Sequence, residues 1–208
     1  MNAGYLSSVL MVISLILFAS GWKNVIIRGI THQSLLLFFI FWLLCSLGSW
    51  SWNGVHYSGI VGLLLITSGI AIARASGAML RLHVISVGLL LGSVSFFLKE
   101  SLHLIPSIIV YSTTVTISGI IGLLAAVTLR QSALQIAAVS IGLLIGDGMF
   151  AYSHKEHVQM SMGGAAFQDL WWMTMFMTRT LSMAVLSMLE GFKRAAGFVW
   201  ETIRNRRE

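Results

Sequence analysis

Residues 132–152 read SALQIAAVSIGLLIGDGMFAY, an apolar run whose only charge is Asp147. About 20 mainly apolar residues in helical conformation span the hydrocarbon core of a bilayer. The run meets that length, and the rest of the chain repeats it. Seven such runs are read: Gly4–Trp22, Ser34–Trp50, Val55–Ala73, Leu82–Leu98, Ile105–Leu129, Ser132–Tyr152 and Ala166–Leu189. Pro106 falls at the start of the fifth, where a helix tolerates it. Asn53-Gly54 marks the turn between the second and third.

Composition agrees with a lipid solvent. The 208 residues are 57% hydrophobic and 10% charged, against about 25% charged in soluble domains. A water-soluble chain of this length has too little charge to cover so much apolar side chain. The first run is not read as a signal peptide. Its flanking charges, Lys23 and Arg28, follow it rather than precede it. Cys45, the single cysteine, lies within an apolar run and reads as a small buried hydrophobe.

Charge placement sets the count and the orientation. With the amino terminus outside, cytoplasmic segments hold Lys23, Arg28, Arg74, Arg81, Arg130, Lys193, Arg194, Arg204, Arg206 and Arg207. The outer segments hold only Lys99 and Lys155, each beside a glutamate, Glu100 and Glu156. Such a bias is the positive-inside signature, and losing one span would scramble it. The expectation is therefore an all-α integral membrane protein of about seven transmembrane helices. Residues 1–189 form one polytopic domain with its amino terminus outside. Residues 190–208 form a basic, amphipathic cytoplasmic tail.

Phe192, Ala195, Ala196, Val199 and Ile203 recur along that tail at helical spacing. Lys193, Arg194, Arg204, Arg206 and Arg207 suit the anionic lipids of the inner leaflet. The net charge of +6 is not gathered into an aromatic-interleaved stripe, so nucleic acid is not an expected partner.

Two hairpins repeat. Ser58-Gly-Ile-Val-Gly-Leu-Leu64 in span three returns as Ser118-Gly-Ile-Ile-Gly-Leu-Leu124 in span five. Ser86-Val-Gly-Leu-Leu-Leu-Gly92 in span four returns as Ser140-Ile-Gly-Leu-Leu-Ile-Gly146 in span six. Spans three–four and five–six thus read either as a tandem helical hairpin, both copies in one orientation, or as chance recurrence in a restricted composition. The pairs Ser58/Gly62, Gly88/Gly92, Ser118/Gly122 and Gly142/Gly146 each place small residues one turn apart on one face, which lets helix backbones approach closely. Spans three to six are expected to form the packed centre, flanked by spans one, two and seven.

Chemistry-bearing residues are few. Arg179 stands near the middle of span seven, at a cost of at least about 2.5 kcal/mol for a charge at that depth. It is expected to face inward, satisfied by backbone carbonyls or serving a substrate or ion. Asp147 is the nearest interior acid, but lies some two turns closer to the outer surface. His56, His103, His154 and His157 collect at the outer face with Glu100, Glu156 and Asp169. His154 and His157, at i and i+3, could hold a metal weakly. Solvated loop side chains are the more ordinary reading. No nucleophile elbow, phosphate-cradling loop or zinc-protease motif is found, and no lysine stands mid-span for a Schiff base. Neither catalytic activity nor a cofactor is expected. A structural, assembly or accessory membrane role ranks ahead of a small transporter or ion-coupled carrier using Arg179 and Asp147.

Phe167-Gln-Asp169-Leu leading to Ser187-Met-Leu-Glu190-Gly resembles the last span of the YphA-type membrane proteins of Gram-positive, spore-forming bacteria. Overall length and the basic tail are similar too. The resemblance implies a bacterial cytoplasmic membrane location and draws interest to Asp169 and Glu190. It supplies no catalytic residues.

Overall fold

The computed structural model describes residues 2–27, 29–52, 55–104, 112–154 and 161–205, with backbone alone at 52, 103–104, 189–190 and 192–205. Asn53-Gly54 and Pro106 lie outside the described residues. The fold is overwhelmingly helical, with eight helices among the described residues. In chain order they are α1 (Tyr5–Ala19), α2 (Lys23–Ile26), α3 (His32–Leu47), α4 (Gly59–Arg74), α5 (Ala78–Leu104), α6 (Thr113–Thr128), α7 (Ser132–Ser153) and α8 (Ala165–Asn205). Seven are long and each coincides with one apolar run; α2 is a single turn between the first two. By length and composition α5 and α7 are long and apolar enough to cross a membrane, over Ala78–Leu102 and Ser132–Ser153. Helices α1, α3, α4 and α6 are equally apolar in character but shorter.

Side chains fix several helix ends. Thr31 Oγ1 accepts the Ser34 N–H at the start of α3, and Ser112 Oγ accepts the Val115 N–H at the start of α6. Ser58 Oγ accepts the Ile60 N–H of α4. Each hydroxyl satisfies a donor that has no partner inside its helix. At the other end of α4, the Arg81 guanidinium donates to the carbonyls of Ala73 and Ala75. A cation there also complements the negative end of the helix dipole.

A small sheet departs from the expected all-helical chain. Ser49–Trp52 (β1) pairs antiparallel with Val55–Ser58 (β2), and β2 pairs parallel with Ser161–Met162 (β3). Trp50 and Val55–Tyr57, expected inside spans two and three, therefore stand in strands. The signal was present as alternating Ser-Trp-Ser-Trp and Val-His-Tyr-Ser around Asn-Gly, the strongest short hairpin cue. Trp50 and Tyr57 stack across the pair with centroids 5.9 Å apart.

The broadest interface is α5 against α7, followed by α6 against α8. Gly88 approaches Ile141 and Gly92 approaches Ile145, while Gly142 approaches Leu91 and Gly146 approaches Ser95. Both series advance together along the chain, so α5 and α7 run parallel. The first helix of each hairpin packs on the second helix of the other: α4 lies on α7 and α6 on α5. Helix α7 thus touches α4, α5, α6 and α8.

Helix α8 is part of the centre rather than a flank. Its Thr174 and Thr178 are fully buried, and Gly122 of α6 admits the α8 backbone at Thr178. Gly62 differs from the other small residues: a Cβ there would meet nothing within 4 Å. Ser58 beside it serves as a cap, so that pair does not mediate close helix packing.

Candidate functional site

Three buried or half-buried polar clusters stand at two ends of the bundle. The first is built on Arg179 of α8. Its Nε donates to the Ile26 carbonyl at 2.7 Å, and its Nη1 donates to Gln135 Oε1 on α7. Gln135 is fully buried and its amide is fully used. Its Nε2 donates to the Leu129 carbonyl and to Ser182 Oγ, the latter at 3.2 Å. One amide therefore ties α7 to α8 and to the α6–α7 connection, and the arginine adds the connection between α1 and α3. Arg179 lies level with the first turn of α7, near the bundle end rather than at mid-depth. Its charge is met by a carbonyl and an amide oxygen.

The second cluster stands where α5 and α7 end. Lys99 Nζ contacts Asp147 Oδ1 at 2.7 Å, with both side chains 15% exposed. Lys99 also lies 5.7 Å from the Phe150 ring centroid. About two turns past Asp147, His154 Nε2 is 3.8 Å from Glu100 Oε1. Phe150 packs on the His154 ring, with centroids 4.5 Å apart. Arg179 and Asp147 do not come together. Asp147 is twelve residues beyond Gln135 on one helix, about 18 Å at 1.5 Å per residue.

The third cluster is Asp169, near the start of α8. Its Oδ2 accepts the Gly4 N–H at 2.8 Å and its Oδ1 accepts the Ser7 N–H at 2.6 Å. Gly4 is the residue before α1 and takes φ 91°, a conformation that glycine adopts without strain. Asp169 therefore supplies the N-cap that the start of α1 does not provide for itself. The carboxylate also sits at the positive end of the α1 dipole.

An aromatic cluster lies beside Asp169. Trp171 and Trp172 of α8 pack against Phe38, Phe39 and Trp42 of α3. Trp171 Nε1 donates to Ser140 Oγ on α7 at 3.0 Å.

His56 is exposed on β2. His157, Arg206 and Arg207 lie outside the described residues. The side chains of His103, Glu190, Lys193, Arg194 and Arg204 also lie outside them, on backbone that is helical. Among the described residues no three His, Cys, Asp or Glu side chains gather to hold a metal ion. Helix α8 continues unbroken from Ala165 to Asn205, so the basic tail begins as its extension.

Sequence reading missed Gln135 and Lys99. Gln135 is the lone amide in the run 132–152, a signal that an intramembrane polar side chain needs partners. Lys99 was read only as a topology charge. No protein-family model matches the chain, and no curated protein or solved structure matches it either.

Proposed function

We propose that this chain is a seven-span protein of the bacterial cytoplasmic membrane with a structural, assembly or accessory role and no catalytic step of its own. The observation that carries the membrane reading is the inverted polarity of the bundle. Leu47 is 86% exposed and Val127 68%, while Gln135, Ser140, Thr174 and Thr178 are at 0%. Large apolar side chains turned outward and polar ones turned inward suit lipid, where backbone and polar groups must be satisfied internally. Helices α1 and α3–α8 are the spans. The 16 residues of α3, α4 and α6 cover about 24 Å, and local thinning of the bilayer accommodates the shortfall. The basic bias of the segments assigned to the cytoplasm orients the amino terminus outward. The cations of the tail meet anionic headgroups there. The resemblance of residues 167–191 to YphA-type proteins supports the same location.

Topology is tested by single cysteines on a Cys45→Ala background. Tyr57→Cys is expected to react with a membrane-impermeant maleimide in intact cells, and Asn205→Cys only after permeabilisation. The opposite pattern, or labelling of both in intact cells, overturns the arrangement.

The accessory reading rests on how the interior charges are spent. Arg179 is held by Ile26 and Gln135, and Asp147 by Lys99. A carrier is the second reading, favoured by the interlocked hairpins. Their exchanged packing suits two copies of one hairpin related by a pseudo-twofold axis along the membrane normal, as in parallel-repeat transporters. Proton and K+ flux into proteoliposomes is expected to match empty vesicles. Arg179→Gln and Asp147→Asn are expected to lower the unfolding midpoint only. A flux that either substitution abolishes makes the carrier reading correct.

A further inference from the structure

Where α5 and α7 end, two acceptors face each other. The Phe150 carbonyl lies 3.2 Å from His154 Nδ1. A carbonyl only accepts, so Nδ1 carries a proton, and in the neutral form of the ring Nε2 turns a lone pair outward. That lone pair meets Glu100 Oε1 across 3.8 Å. The second carboxylate oxygen, Oε2, is buried with no hydrogen-bond partner among the described residues. With the ring neutral, Nε2 and Oε1 both offer lone pairs to the gap between them.

The width of the gap indicates what fits it. A charge-assisted N–H···O bond is about 2.8 Å long, so a shared proton requires the groups to close by about 1 Å. Two ligands of one tetrahedral zinc, each bonded at about 2.1 Å, stand about 3.4 Å apart. That needs an adjustment of only about 0.4 Å from the observed gap. The hydrogen bond from Nδ1 to a backbone carbonyl is the outer-shell support that metal-binding histidines generally have. The side chains are 26% and 36% exposed, so the pair is not sealed inside the bundle. Lys99, which precedes Glu100 in the chain, is already paired with Asp147.

We propose that Glu100 and His154 form an open divalent-cation site of the zinc type, clamping the outer ends of α5 and α7. Imidazole and carboxylate donors suit Zn2+ better than Mg2+, which prefers an all-oxygen octahedral shell. The site differs from the His154/His157 pairing expected from sequence, because the second ligand comes from another helix. It also differs from the Arg179 and Asp147 clusters. A cation there fastens the two hairpins at the seam where they meet.

The test uses the full chain in detergent after EDTA treatment. ZnCl2 is expected to raise the unfolding midpoint with concentration, as any ligand of the folded state does, while MgCl2 has no effect. By calorimetry, Glu100→Gln and His154→Gln are each expected to weaken Zn2+ at least tenfold, and His56→Gln to leave it unchanged. X-ray absorption of the zinc-loaded wild type is expected to show one imidazole nitrogen among oxygen ligands, a reading that requires no variant to fold. Equal Zn2+ affinity in wild type, Glu100→Gln and His154→Gln overturns the proposal, as adventitious binding by exposed histidines. So does an absorption spectrum with several imidazoles. A wild type that ignores Zn2+, yet loses a pH-dependent midpoint on either substitution, overturns it in favour of a shared proton.

Discussion

Gly142→Leu is expected to give a chain that accumulates poorly and unfolds well below the wild type. A Cβ at position 142 would lie 2.7 Å from Leu91 Cβ, 3.1 Å from the Gly88 carbonyl oxygen and 3.2 Å from the Gly92 nitrogen. Two of those three atoms are backbone, and the third is held by the helix that carries it. The remaining atoms of a leucine side chain have nowhere to go unless α5 and α7 separate. Overpacking a well-filled interior costs about 1–3 kcal/mol and occasionally more. Separation along a whole interface belongs at the upper end. Gly62→Leu is the control, because nothing lies within 4 Å of its Cβ position. Its unfolding midpoint in detergent is expected to stay within a degree or two of wild type. Equal behaviour of the two variants would show that the glycines of α5 and α7 do not set the approach of these helices.

The second large effect is expected at Asp169. Asp169→Ala strands the N–H groups of Gly4 and Ser7 at the start of α1. Hydrogen bonds to a charged group contribute about 1.5–3 kcal/mol each, and the lost interaction with the helix dipole adds to that. A cost of about 3 kcal/mol is expected, concentrated in α1 because the contact of that helix with α8 is what the carboxylate anchors. Asp169→Asn is not a mild change. Its oxygen still accepts one N–H, but its NH2 faces the other donor, so about half the effect is expected to remain. Proteolysis in detergent resolves the locality. A new cleavage between α1 and α3 in Asp169→Ala, with residues 32–208 intact, is the expected pattern. Uniform digestion, or a midpoint equal to wild type, would remove Asp169 from its capping role.

Much of the helical layout could be read from the chain because the signal is one-dimensional. Each of the seven runs carries its helix in its own residues, but the caps were not read: the fifth run was begun at Ile105, whereas α6 begins at Thr113 after Ser112. The strands at Ser49–Trp52 and Val55–Ser58 were also written in the sequence, but a window tuned to apolar length absorbed their alternation. Partner choice is a different kind of information. Nothing in residues 82–98 says that they pack on α7 rather than on their own hairpin neighbour α4. That outcome depends on Gly88, Gly92, Gly142 and Gly146 meeting across space. Asp169 could be singled out as an acid in an apolar context, but its partners are backbone N–H groups, which every residue but proline possesses. Gln135 was missed because it carries no charge and one amide in a long apolar run leaves the span intact, although it holds Arg179.

The pairing of Glu100 with His154 bears on why such a chain would keep two hairpins in one polypeptide. The two residues are separated by the same interval as Gly88 and Gly142, so in a chain assembled from two copies they occupy equivalent positions. In an association of two identical, separate hairpins, a residue on the rotation axis confronts itself. Acid would oppose acid, or imidazole would oppose imidazole. Within one polypeptide the two positions need not match, and here one is an acid and the other an imidazole. The same freedom places Asp147 opposite Lys99, although the equivalent of Asp147 in the first hairpin is Ser93. A single polypeptide is a licence for asymmetry: it keeps the close glycine seam that symmetry favours while allowing Lys99 and Asp147 to complement each other at its rim.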